Sequence, residues 1–239
     1  MITLDEQLDM ASVTVADIAL TFPYSLEILN RYNLDYCCSG KKNFVDACDK
    51  AGLPVEKIWR EILLSKSNVS GDNRVRFDTW EVPLLIDFII QHHHRYVRES
   101  IPQIQELLDK VCSVHGEDSP VLYLIRSDFS ELAEELLQHL PKEEQVLFPA
   151  IRRIFDRNSP SCYISPIPEH LGGPIAVMEH EHDRAGQLIK SIRKSSENYT
   201  PPAYACPTFQ LTYKMLREFE TDLLQHIHLE NNILFAKVK

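Results

Sequence analysis

A chain of 239 residues with 44% hydrophobic content holds enough apolar material for a substantial core, as one large domain or two modest ones. Its 35 acidic and 25 basic residues leave a net charge of −10, which weighs against nucleic-acid and anionic-membrane partners. Only 7 glycines are present, a scarcity that favours helices over turn-rich β structure.

The sequence opens with Thr3, Asp5, Glu6 and Asp9, with no basic and then apolar leader, and no apolar run is long enough to span a bilayer. The expectation is therefore a soluble, cytoplasmic protein. Six cysteines (Cys37, Cys38, Cys48, Cys112, Cys162, Cys206) lack the regular spacing of a disulfide framework, so reduced thiols are expected.

In chain order, residues 1–70 read as a small helical domain. Ser12 or Thr14 caps a short helix through Leu20, and Pro23 opens a second carrying Leu26 and Leu29. Asn43 to Ala51 forms a third, ended by Gly52, and Pro54 starts a fourth with Ile58, Ile62 and Leu63 on one side. Between the second and third lies Asp35-Tyr36-Cys37-Cys38, followed by Lys41 and Lys42. Two readings of the cysteines stand: small packing residues beside a turn, or a thiol pair that the lysines push toward thiolate.

Ser65 to Asp78 is polar and aperiodic and reads as a linker. From about residue 79 to 239 the pattern predicts four long amphipathic helices: Pro83 to about Val111, Val121 to Phe155, Pro174 to about Ser195, and Thr208 to near Ala236. Residues 158–174 form the long loop between the second and third. Pro141 and Pro149 predict a kink and a bend in the second helix. The fold class is all-α: an up-down-up-down four-helix bundle preceded by a small helical domain.

The chemistry lies in the apolar stripes. Stepping by three and four along the last helix gives Phe209, Thr212, Leu216, Phe219, Leu223, His226, Glu230 and Ile233, so an imidazole and a carboxylate end a buried face. The second helix repeats this with Phe129, Leu132, Leu136, His139 and Glu143, while the first and third stripes deliver His94 and His182. Buried dry, each such group costs roughly 2–7 kcal/mol unless paired. Four histidines and two glutamates on four helices describe a metal site in a bundle core.

One ion cannot readily use all six ligands and still react, whereas two can. If Glu143 and Glu230 bridge, each ion receives two histidines and two carboxylate oxygens, and an oxo or hydroxo bridge leaves one open position apiece for a diatomic such as O2 or NO. Nitrogen-rich ligation with no cysteine on these stripes favours iron. His92, His93, His180 and His228 fall off the stripes and read as solvated. Glu135 and Glu181, beside His139 and His182, are candidate outer partners for the ligand rings or for protons.

With these residues assembled, the chain resembles the Repair of Iron Centres family of hemerythrin-like di-iron proteins. The matching stretches are Asp35-Tyr36-Cys37-Cys38, Ile89 to His94, His139-Leu-Pro-Lys-Glu143, Met178-Glu-His-Glu181-His182-Asp183 and His226-Ile-His-Leu-Glu230-Asn-Asn. The resemblance implies two non-haem iron ions held by His94, His139, His182 and His226 with Glu143 and Glu230 as bridges. It also implies a cysteine-bearing N-terminal domain and a role in protecting or rebuilding iron–sulfur clusters after nitrosative or oxidative damage. Partners implied are NO or O2, damaged iron–sulfur proteins and an electron donor that the sequence does not name. Iron donation, NO reduction and denitrosylation all remain open, and so does whether the activity is enzymatic. An O2 carrier or sensor and a di-iron NO reductase are the alternatives. The chain departs from the family pattern at Ser39, where glycine is usual, at Pro141, unexpected between two implied ligands, at Val97, where a second histidine is frequent, and at Ala236, where proline is usual.

Overall fold

The computed structural model describes residues 12–38, 40–67, 75–155 and 171–238. Ser39, Cys162 and residues 158–170 of the expected long loop lie outside them.

The N-terminal unit begins at α1 (Val15–Thr21), nucleated by a reciprocal cap. Thr14 Oγ1 accepts the Asp17 N–H at 3.1 Å, and the Asp17 carboxylate accepts the Thr14 N–H at 3.0 Å. A single turn after Phe22 leads into α2 (Leu26–Arg31), and the chain then folds back so that Thr14 and Asn43 form an isolated bridge. Asn43 caps α3 (Phe44–Lys50) through the Val45 N–H at 2.8 Å. Gly52, at φ +66°, supplies the left-handed turn before α4 (Val55–Ser67).

The bundle follows as α5 (Val82–Phe88), α6 (Arg95–His115), α7 (Val121–Lys142), α8 (Phe148–Phe155), α9 (Gly172–Ser195) and α10 (Pro207–His228). α6 packs on α7, α7 on α9, α9 on α10 and α10 on α6, closing a four-membered ring. The joins are not breaks. α5 runs into α6 through a widened turn at Ile89–His94, α7 into α8 through Glu143–Leu147, and α10 continues through Leu229–Leu234. In each, a backbone N–H reaches five residues back: Arg95 to Ile90, Phe148 to Glu143, Phe235 to Glu230. These are π turns, each one residue wider than a regular helical turn. Pro141, where a kink is expected, lies inside α7, two residues before the second of these turns. The helix runs through the proline, and the turn directly after it widens.

Two apolar clusters fill the bundle, with a polar layer between them. One contains Val97, Leu108, Phe129, Leu136, Ile189, Phe219 and Ile227; the other contains Ile86, Ile89, Phe148, Ile175, Leu229 and Phe235. Every long helix passes from one to the other, and His94, His139, His182 and His226 lie at the crossing.

The first cluster does not stop at the bundle. It continues into Val15, Ile18, Leu29, Tyr36, Phe44 and Ile58 of the N-terminal unit. Each such fully buried large apolar side chain contributes roughly 1.5–3 kcal/mol. The N-terminal unit therefore covers the outer face of α10, which corrects the expectation for His228. It is only 3% exposed, meets the Tyr36 ring edge-on at 5.4 Å and holds the Asn232 amide at 2.9 Å. Burial pulls its pKa down to about 4.

His93 is a second correction. It is fully buried because the π turn brings two consecutive residues, His93 and His94, to the inner side. His92 and His180 are exposed, as expected.

The docked unit rests on α9 at Gly186, where an added Cβ would lie 2.9 Å from Cys38 Sγ. Gly186→Ala is expected to push the cysteine loop off α9 while leaving the bundle folded. The measurement is the alkylation rate of Cys38 with helicity followed in parallel; the rate should rise severalfold with unchanged circular dichroism.

Candidate metal centre

Six side chains meet in the polar layer, and all are essentially inaccessible. His94, Glu143 and Glu230 are fully buried, while His226, His182 and His139 are 1%, 2% and 3% exposed. Their donor atoms form two groups, His94–Glu143–His226–Glu230 and His139–Glu143–His182–Glu230, which share both carboxylates. The sequence stripes named the same six residues, and the structure brings all of them together.

Three outer hydrogen bonds decide which ring nitrogens face inward. His94 Nδ1–H donates to Glu144 at 2.7 Å and His139 Nδ1–H to Glu181 at 2.7 Å. His182 Nδ1–H donates to Asn231 Oδ1 at 2.9 Å, an orientation fixed because Asn231 Nδ2 donates to the Cys37 carbonyl at 3.5 Å. With Nδ1 engaged outward, the Nε2 atoms of these three rings are left as the inner positions, open to a proton or a metal ion. His139 and His182 oppose their Nε2 atoms at 3.1 Å, and His94 and His226 do the same at 3.1 Å.

The carboxylates crowd the same space. Glu230 lies 2.9 Å from His226 Nε2 and 3.2 Å from His182 Nε2; Glu143 lies 3.3 Å from His139 and 3.4 Å from His94. Both oxygens of Glu143 and Oε2 of Glu230 are buried with no hydrogen bond. Opposed ring nitrogens and dry carboxylate oxygens repel unless metal cations or protons stand among them. With metal–ligand bonds of about 2.0–2.2 Å, neighbouring donors of one ion lie roughly 3.0–3.5 Å apart, which is the spacing here. The residues therefore fit a pair of metal ions, His94 and His226 serving one and His139 and His182 the other.

The outer partners differ in part from the sequence expectation. Glu181 holds His139 and also accepts from Lys142 at 2.6 Å. Glu135 instead pairs with Arg184, which also bonds Glu131. Glu144 and Asn231 escaped the sequence reading, although each directly follows one of the two shared glutamates, Glu143 and Glu230. On a helix the residue after an inward ligand lies about 100° round and can reach a neighbouring ring's far side.

The cysteine loop reaches this layer. Asp35 Oδ1 accepts the Cys37 and Cys38 N–H groups at 3.1 and 3.0 Å, the two sulfurs lie 3.5 Å apart, and Cys38 Sγ contacts the His182 carbonyl at 3.4 Å. The hydrogen bond with Cys38, burial and the Asp35 carboxylate all push the Cys37 thiol well above its ordinary pKa. Lys41 and Lys42, which one of the two sequence readings set beside the thiols, are exposed. The amine at this loop is Lys190, bound to Asp35.

Residues 85–238 match the hemerythrin HHE cation-binding domain, and residues 11–66 match ScdA_N, a domain of unknown function (DUF542). The iron-sulfur cluster repair proteins YtfE of Yersinia pseudotuberculosis serotype IB (strain PB1/+) and Yersinia pestis (strain Pestoides F) are each 34% identical over 232 residues, covering 96% of this chain and 98% of the relative. The chain belongs to the Repair of Iron Centres family. In this member of the Repair of Iron Centres family, the cation-binding region contains all six inward donors of the polar layer, and the N-terminal region contains Cys37 and Cys38. Among the described residues, no helix is long and apolar enough to cross a membrane.

Charge inside the metal-free cluster is set by the carboxylates. Burial lowers the affinity of His94 and His139 for protons, but Glu143 and Glu230 outweigh it and raise them to about 10 and about 9. Glu230 is held well below the ordinary range: burial opposes this, and the His226, His182 and His94 rings overcome it. In His226 burial prevails and the pKa falls.

A histidine raised above its ordinary 6.5 lends stability that is complete below that value and disappears as pH rises through the folded-state pKa. Metal-free protein should therefore lose melting temperature between pH 7 and 10, whereas metal-saturated protein, in which the cation replaces those protons, should not. Parallel thermal melts across that range are the check.

Proposed function

We propose that the cluster holds two iron ions bridged by Glu143 and Glu230, and that the protein serves the repair of iron–sulfur clusters damaged by nitrosative or oxidative stress. The observation that carries the reading is the pair of opposed Nε2 contacts at 3.1 Å around two shared, dry carboxylates. A nitrogen-rich donor set of this kind, lacking thiolate, favours iron over magnesium or calcium. The repair role draws on the YtfE relatives, whose name states it.

When bound, the iron pair would supply redox equivalents and positions for a diatomic such as NO. The remaining work belongs to the chain. Glu144, Glu181 and Asn231 orient the rings of His94, His139 and His182 and fix their tautomers. Glu181, bridging His139 and Lys142 at the edge of the site, is the group placed to pass protons between the ligand ring and solvent. The two apolar clusters exclude bulk water from above and below. Cys38 stands against the backbone of the His182 helix with Cys37 beside it, which favours a repair protein over an O2 carrier, since a carrier has no use for thiols beside a ligand.

Glu230→Gln keeps the shape of the side chain but removes a bridging charge shared by both donor groups. It should lower iron content to less than half of wild type and abolish the recovery of a nitrosylated iron–sulfur enzyme. Anaerobic iron quantification with Mössbauer spectroscopy, before and after NO, is the measurement. Full iron retention in this variant would refute the bridged assignment.

A further inference from the structure

A second set of metal-binding side chains lies just outside the core. His92, His93 and Asp222 each place one donor atom within 4.8 Å of the other two. None of them belongs to the six core ligands. His93 Nδ1 and Asp222 Oδ1 are 2.9 Å apart, the separation of adjacent donors on one ion.

A plain buried His–Asp hydrogen bond leaves features of this corner unexplained. Asp222 is only 14% exposed in its side chain, and its Oδ2 is buried with no hydrogen bond. A carboxylate with one oxygen dry and unpaired costs stability unless positive charge arrives from elsewhere. The third donor, His92, is delivered to the same point by the π turn and faces solvent, leaving the corner open to an incoming ion. Both rings are also held in place. Phe88 stacks on His92 at 5.0 Å and meets His93 edge-on at 5.5 Å, and Phe88 itself packs into an aromatic group with Phe77 and Trp80. A site built on fixed rings loses little side-chain entropy on binding.

We propose that His92, His93 and Asp222 form a mononuclear site for a divalent cation of the zinc or ferrous class, separate from the shared-carboxylate centre. Two imidazoles and one carboxylate suit borderline cations rather than calcium or magnesium. Three protein ligands with one open side make a site that binds and releases, in contrast to the closed core. The site adjoins that core, because the His93 ring lies parallel to the ligand ring of His226 at 5.5 Å. An ion held here is therefore poised at the edge of the dinuclear layer.

The test uses full-length protein carrying its core metals, exposed to zinc chloride alone and crystallised, with anomalous difference maps recorded on both sides of the zinc edge. The expected result is a zinc peak bounded by His92, His93 and Asp222 in wild type, lost in His92→Ala and in Asp222→Asn while the core peaks persist. Isothermal titration should show one equivalent beyond the core's uptake, absent from both variants. A wild-type map with occupied core positions and no zinc at Asp222, or undiminished uptake by Asp222→Asn, would overturn the site. A zinc peak at Asp222 in protein whose core holds a single ion would support this site and count against the two-iron reading instead.

Discussion

The constraint behind this structure is electrostatic: two carboxylates and four imidazoles share a layer of the bundle sealed above and below by hydrocarbon. Nothing in the apolar clusters can answer their charge, so the layer is tolerable only with cations or protons inside it. The three outer acceptors then follow. Three of the four rings, His94, His139 and His182, present Nε2 inward because they give the Nδ1 proton to Glu144, Glu181 and Asn231, whereas Nδ1 of His226 is buried without a hydrogen bond. The widened turns sit here too. Each contains one of the donors, His94, Glu143 or Glu230, so all three insertions fall at the polar layer, where such one-residue π turns are often found.

The bundle and its six inward donors were legible in the sequence because both rest on one periodicity. Where the period holds, as along Phe129, Leu132, Leu136, His139 and Glu143, the inner face can be counted directly. The count fails at two kinds of place. At a π turn the phase advances by one residue, so His93, assigned to solvent beside His94, is buried with it. On α10 the count is right for the bundle but says nothing about a second layer. The N-terminal unit covers the outer face, and Leu224, His228 and Asn232 are enclosed against it.

The outer partners were only half legible for a related reason. Glu135 sits four residues before His139, the spacing of a same-helix contact, yet the Nδ1 of His139 points across the groove to α9, where Glu181 waits. Arg184, one turn further along α9, takes Glu135 instead. Helix-to-helix partners depend on the register between neighbours, which a single helix's pattern does not encode. Glu144 shows the same logic in reverse: it lies on α7's extension but serves His94 and Arg98 of the adjoining helix.

The placement of the cysteine loop follows from two neighbouring asparagines in the last π turn. Asn232 donates to the Tyr36 carbonyl at 3.0 Å, and Asn231 donates to the Cys37 carbonyl while accepting the His182 ring proton. The backbone that carries the thiols and the imidazole that faces the cluster thus share one side-chain amide. A vicinal disulfide would have to bend the peptide between Cys37 and Cys38, because its small ring strains that link. That peptide is clamped by Asp35 from one side and Asn231 from the other, so bending it would disturb the acceptor of His182. The raised Cys37 pKa means that the loop favours the protonated thiol over the thiolate. Asn231 thus joins the cysteine loop to the His182 ring, and with Asn232 it holds the N-terminal unit docked on α9 and the end of the last helix.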